Sequence, residues 1–161
     1  ADVESLLDEF ARRGTVLPVV AKIETAGAIA NVPEIIVAGA SAVPFGVMIA
    51  RGDLAVEIGF QRLAEIQEEL LWVCEAAHVP VVWATQVLDR FVRKGVPSRS
   101  EITDAAMAER AECVMLNKGP FVVEGVAVLS DVLERMRGHQ AKKSARLRAL
   151  SAFRRSALTP R

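Results

Sequence analysis

The apolar positions of this chain alternate between two periods. Val3, Leu6, Leu7 and Phe10 recur at helical spacing, with Asp2 placed to cap the helix and Gly14 to stop it. Leu17 to Ile23 is a short β-branched run of the kind that forms a buried strand. Asn31 and Pro33 open a short helix through Ile35, Ile36 and Val37, and Phe45 to Ala50 reads as a second strand. Leu63, Ile66, Leu70, Val73 and Ala77 mark a long amphipathic helix that leads into a third strand, Val79 to Ala84. Ser98 and Glu101 have the spacing of a capping box, which starts a helix running to about Arg110. Cys113 to Leu116 is a fourth strand, and Pro120 occupies a typical first helical position. Val123, Val126, Ala127, Leu129, Leu133 and Met136 carry the next helix, and Leu147, Leu150 and Phe153 suggest one more.

A helix followed by four strand-helix units predicts an α/β fold with parallel strands and helical crossovers. The strands are continuous apolar runs, as parallel strands buried on both faces should be. Four units suit either a small doubly wound sheet or half of an eight-stranded barrel. A full (β/α)8 barrel takes about 250 residues. The 161 residues here cannot close one alone, and the absence of an initial Met fits a piece of something longer. Periodicity leaves both architectures open.

Composition narrows the class. At 52% hydrophobic and 25% charged residues, with a mean hydropathy of +0.28, the chain is neither disordered nor collagen-like. No apolar stretch approaches the roughly 18 residues of a membrane helix, and no signal peptide opens the chain, so a cytoplasmic protein is expected. Cys74 and Cys113 lack metal-ligand spacing and read as a reduced, buried pair. The formal net charge of zero hides an asymmetry. Residues 137–161 hold eight Lys/Arg and no acid, leaving 12 basic and 20 acidic groups before them, a net of −8. Such a basic tail suits nucleic acid, an anionic surface, or docking on the acidic body. The absence of interleaved aromatic residues favours docking over nucleic-acid binding.

In parallel α/β folds the chemistry sits at the carboxyl ends of the strands. The first strand ends Ala21-Lys22-Ile23-Glu24, and residues two apart on a strand share a face, so Lys22 and Glu24 place a cation beside a carboxylate. A strand-end ion pair is the plainer reading. The second strand ends Ala50-Arg51-Gly52-Asp53, in which Gly52 permits a sharp turn and close backbone approach. Asp53 supplies a second carboxylate or, more simply, caps a turn. Two carboxylates with substrate oxygens and water are a usual ligand set for Mg2+. The Arg-Gly-Asp triplet carries little weight as an adhesion signal, since nothing else suggests secretion. The third strand ends Ala84-Thr85-Gln86, whose hydroxyl can meet a substrate or a neighbouring backbone group.

Taken in order, Ala-Lys-Ile-Glu, Ala-Arg-Gly-Asp-Leu-Ala-Val-Glu, Ala-Thr-Gln and Ser-Arg-Ser-Glu resemble the pyruvate kinase family. The resemblance spans residues 1–136 and implies the second half of that family's catalytic (β/α)8 TIM-type barrel, from the helix before the fifth strand to the eighth helix. Residues 137–161 are then a basic C-terminal tail. The implied activity is Mg2+- or Mn2+-dependent phosphoryl transfer between phosphoenolpyruvate and ADP, giving pyruvate and ATP. Lys22 resembles the lysine that stabilises the moving phosphoryl group. Glu24 and Asp53 resemble the metal-holding carboxylates. Gly52 and Asp53 would receive the substrate carboxylate on their backbone, and Thr85 would touch the substrate. The family's K+ ligands have no counterpart in this chain. Where the family shows Ser-Gly-Glu-Thr after the eighth strand, this chain reads Asn117-Lys118-Gly119-Pro120. Two further readings are a lyase or aldolase of the wider phosphoenolpyruvate/pyruvate barrels, and a non-catalytic barrel module. In each case the open sheet edges call for the missing barrel half or a second copy. His78 and His139 form no catalytic arrangement, and Trp72 and Trp83 read as packing residues.

Overall fold

A computed structural model describes residues 2–141 together with Ser144 and Ala145. Helix α1, Asp2–Arg13, carries Asp2 and Glu4 in its first turn and Arg12 and Arg13 in its last, matching charge to the helix dipole at both ends. Gly14 follows at φ +60°, the left-handed stop that glycine adopts without strain. Strand β1, Val19–Ile23, leads to α2, Ala26–Ala30, and α3, Val32–Ala40. Strand β2, Phe45–Ala50, is followed by α4, Arg51–Ile58, and α5, Phe60–Ala76. Strand β3, Val81–Val87, precedes α6, Asp89–Lys94, and α7, Arg99–Met107, which tightens into a 3-10 turn over Ala108–Arg110. Strand β4, Cys113–Leu116, and α8, Val122–Met136, complete the units. A two-residue antiparallel pair, β5 (Gln140–Ala141) and β6 (Ser144–Ala145), follows.

The four long strands pair in parallel in strictly sequential order, β1-β2-β3-β4. That order decides between the two architectures. A doubly wound sheet needs a reversal of strand order to place right-handed crossovers on both faces; without one, every crossover falls on the same face. Burial agrees. Ile23, Val47, Ile49, Val81 and Trp83, on the helix-covered face, are at most 1% exposed. On the opposite face the small residues Gly46, Ala50 and Ala84 are buried, whereas Val20 is 52% exposed and Lys22 and Cys113 are also exposed. The fold is therefore an arc of a barrel, with helices outside and an uncovered inner face.

Several expectations change at this resolution. Strand β3 starts later and runs further than the apolar run suggested. Near-continuous burial holds for β2, lapses at the end of β3 where Gln86 is exposed, and fails for the edge strands β1 and β4, each of which has one strand neighbour among the described residues. Cys74 is buried whereas Cys113, on edge strand β4, is exposed, so the two are not a buried pair. Trp72 is 60% exposed and only Trp83 is core. Asn31 precedes α3 but its side chain donates to the Gly27 carbonyl at 2.7 Å, closing α2 instead. Pro120 lies before the Phe121 cap of α8, outside the helix. The helix suggested around Leu147, Leu150 and Phe153 lies outside the described residues.

Candidate active site

The site forms where β1, β2 and β3 end. Lys22 and Glu24 share one face of the β1 terminus, and Asp53 approaches from the first turn of α4. The Lys22 ammonium donates to Glu24 and, at 3.2 Å, to Asp53 Oδ2. These two bonds, Glu24's first, hold the Lys22 pKa above its ordinary value. All three side chains remain between 40% and 57% exposed, so solvent or a ligand reaches them. Beside Lys22 a cavity of about 580 Å³ opens, lined also by Asp2, Glu4, Thr25 and Glu34.

Gly52 lies in a helix rather than in the turn expected, because α4 starts immediately after β2. Its N–H is one of the first-turn donors that a helix cannot satisfy internally. It donates instead to Thr85 Oγ1 at 2.7 Å. A Cβ at Gly52 would lie 3.3 Å from Thr85 Oγ1 and 3.4 Å from Gln86 Nε2, so a larger residue would press these side chains back by a few tenths of an ångström. Because the Thr85 oxygen accepts from Gly52, its own O–H proton remains to be donated elsewhere.

The end of β3 is strained. Thr85, Gln86 and Leu88 have φ of +65°, +60° and +49°, and the pairing register with β4 shifts between Trp83 and Val87. Left-handed backbone at a β-branched residue is an outlier, and each such residue costs about 1–3 kcal/mol. The restraint comes from Arg51, a residue the sequence reading left unassigned. Its side chain is buried, donates through Nε to Ala84 O at 3.2 Å and through Nη2 to Thr85 O at 2.8 Å, and pairs through Nη1 with Asp104 of α7. The guanidinium lies over the Trp83 ring, 4.7 Å from its centroid. The available signal was a charged residue placed directly after a fully apolar strand.

The variant loop after β4 is anchored to α6. Asn117 Nδ2 donates to Asp89 Oδ1 at 3.2 Å, Phe121 N–H donates to Val92 O at 3.1 Å, and Gly119 sits so close to Val92 that a Cβ would meet its carbonyl oxygen at 2.4 Å. Lys118 is exposed between these contacts.

The structure thus gathers Lys22, Glu24, Gly52, Asp53 and Thr85 from three strand ends. Among the described residues no group of three or more His, Cys, Asp or Glu side chains could hold a metal; Glu24 and Asp53 meet as a pair around Lys22. No described helix is long and apolar enough to cross a membrane.

Comparison with known proteins bears out the family resemblance. Residues 1–125 match the barrel domain of pyruvate kinase. The chain is 35% identical over 137 residues to a pyruvate kinase of Thermotoga maritima, an alignment covering 81% of this chain and 28% of that protein. Identity is 38% over 140 residues with a pyruvate kinase of Encephalitozoon cuniculi, covering 82% and 30%. With pyruvate kinase 2 of Saccharomyces cerevisiae it is 36% over 135 residues, covering 80% and 26%. The chain spans less than a third of the length of these relatives. A parallel barrel arc with this order of strand-end residues, matched over most of its length, belongs to the pyruvate kinase family.

Proposed function

We propose that this chain supplies the second half of the active site of a pyruvate kinase-type phosphotransferase, acting in the cytoplasm on phosphoenolpyruvate and ADP. The observation that carries this reading is the meeting of Lys22, Glu24 and Asp53 at one point, next to the Gly52–Thr85 contact. Phosphoryl transfer demands positioning and charge neutralisation more than covalent chemistry. Lys22, kept protonated by its two carboxylates, is a fixed cation for a phosphoryl oxygen. The Thr85 hydroxyl and the first-turn amide of Asp53 suit a substrate carboxylate, while the Gly52 N–H, already given to Thr85 Oγ1, orients that hydroxyl.

Glu24 and Asp53 fit a divalent ion. Both carboxylates already converge on one cationic atom, both are accessible to water, and two carboxylates are the usual protein share of Mg2+ coordination. When bound there, Mg2+ or Mn2+ supplies Lewis-acid stabilisation of an enolate oxygen. No counterpart of the family's K+ ligands was found in the sequence. The uncovered inner face calls for the remaining barrel strands, or a second copy, as a partner. The departure of the loop Asn117–Pro120 from the family pattern leaves a lyase or aldolase of the wider phosphoenolpyruvate/pyruvate barrels as the second reading, which turnover of a keto acid without nucleotide would identify.

The test is calorimetric titration of the chain with oxalate, an enolpyruvate mimic, with and without Mg2+. Binding that requires Mg2+ and is lost in Glu24→Gln is the expected result. A folded chain that binds oxalate equally with and without metal would sink the assignment.

A further inference from the structure

We propose that Arg51 is a positioning residue for this site, fixing the left-handed turn at Thr85 and with it the direction of the Thr85 hydroxyl. The inference rests on the site as read above. The carbonyl of Ala84 belongs to the peptide plane before the Thr85 Cα, and the carbonyl of Thr85 to the plane after it. Arg51 grips both, at 3.2 Å and 2.8 Å, so it sets the two dihedral angles of Thr85 together. A guanidinium can do this because its donors form a rigid planar fork; a lysine offers only a point charge.

The same residue sets the other half of the contact. Gly52, its immediate neighbour, gives its N–H to Thr85 Oγ1 at 2.7 Å. A closed ring results: Arg51 backbone, Gly52 N–H, Thr85 hydroxyl, Thr85 carbonyl, Arg51 side chain. The Trp83 ring covers the guanidinium, and Asp104 neutralises it from α7, so the grip is insulated from water. Arg51 is only 6% exposed, which leaves the ligand-facing work to Thr85 and Lys22.

Amide hydrogen exchange at Gly52 reads the ring directly, and no ligand is needed. In Arg51→Lys the Gly52 amide should exchange about tenfold faster, the equivalent of one lost hydrogen bond. The core amide of Val47 should be unchanged, and Thr85→Ala should reproduce the effect. Mg2+-dependent oxalate affinity should fall by a similar factor in both variants. A folded Arg51→Lys chain with wild-type Gly52 protection would overturn the proposal. Should that variant not fold, the wild-type Arg51 Nε–H signal decides. Exchange much slower than at the exposed Arg12 and Arg13 supports the grip, and equal exchange refutes it. Failure of the wild-type chain to bind oxalate would sink the kinase-type reading alone, since Gly52 exchange still judges Arg51.

Discussion

Lys22 sits in a local field that is more negative than its own charge can cancel, because two carboxylates turn to one ammonium. Its raised pKa means that its pairing contributes to stability fully below the ordinary lysine value and is lost as pH rises through the raised one. At neutral pH the cation is therefore constant, and pH dependence of ligand binding near neutrality should not come from Lys22. Glu24→Gln should lower the Lys22 pKa more than Asp53→Asn, since the Glu24 bond is the larger cause. Following the lysine side-chain carbon by NMR across the alkaline range checks this, and a Lys22 pKa unmoved in both variants would contradict it. Thr85→Val keeps the shape but leaves the Gly52 N–H unpaired, and should destabilise the chain by about 1–3 kcal/mol in urea titration. The candidate residues Lys22, Glu24, Asp53 and Thr85 were legible because polar groups at the ends of apolar strands have no packing reason to be there, and Gly52 because it stands inside the Ala-Arg-Gly-Asp run. Arg51 and Asp104 were not, because their meaning depends on a contact between residues 53 positions apart, which no local pattern encodes.

The strands and long helices announce themselves through β-branched runs and amphipathic period, whereas α2, α4 and α6 are too short, at five, eight and six residues, to develop one. Each is held by contacts from outside itself. For α6 the donor groups of the first turn are met by Glu101 of α7, which accepts from Arg90 N–H at 2.6 Å while also accepting from Ser98 N–H at 3.1 Å. The Ser98–Glu101 capping box expected from spacing is thus present, and its acid also ties α6 in place. Glu101→Ala should cost more than Ser98→Ala, for which about 1 kcal/mol is ordinary; equal losses in equilibrium unfolding would show that the α6 contact contributes nothing. The variant loop has a similar tertiary origin. Gly119→Ala would drive a methyl into the Val92 backbone, which cannot yield as a side chain can, and should cost about 1–3 kcal/mol.

At the scale of the whole molecule, the sequential sheet leaves the inner barrel face open, with Val20 and Cys113 exposed and Lys22 at its mouth. Val16 and Leu17, just before β1, are exposed as well. An apolar face of this kind normally marks an interface. The isolated chain should therefore self-associate or bind a hydrophobic dye, and sedimentation velocity showing a clean monomer without dye binding would contradict an open arc. The same geometry sets where a ligand belongs. Two acidic places lie near Lys22, the Glu24–Asp53 pair and the cavity edged by Asp2, Glu4 and Glu34, and only the first joins the ends of two strands, β1 and β2. Paramagnetic broadening of backbone amide signals by substoichiometric Mn2+ in the presence of oxalate separates them in one experiment. Selective loss at Glu24, Gly52, Asp53 and Thr85 is the expected result. Loss centred on Asp2, Glu4 and Glu34, with the strand ends unaffected, would show that these residues do not form the metal-dependent site.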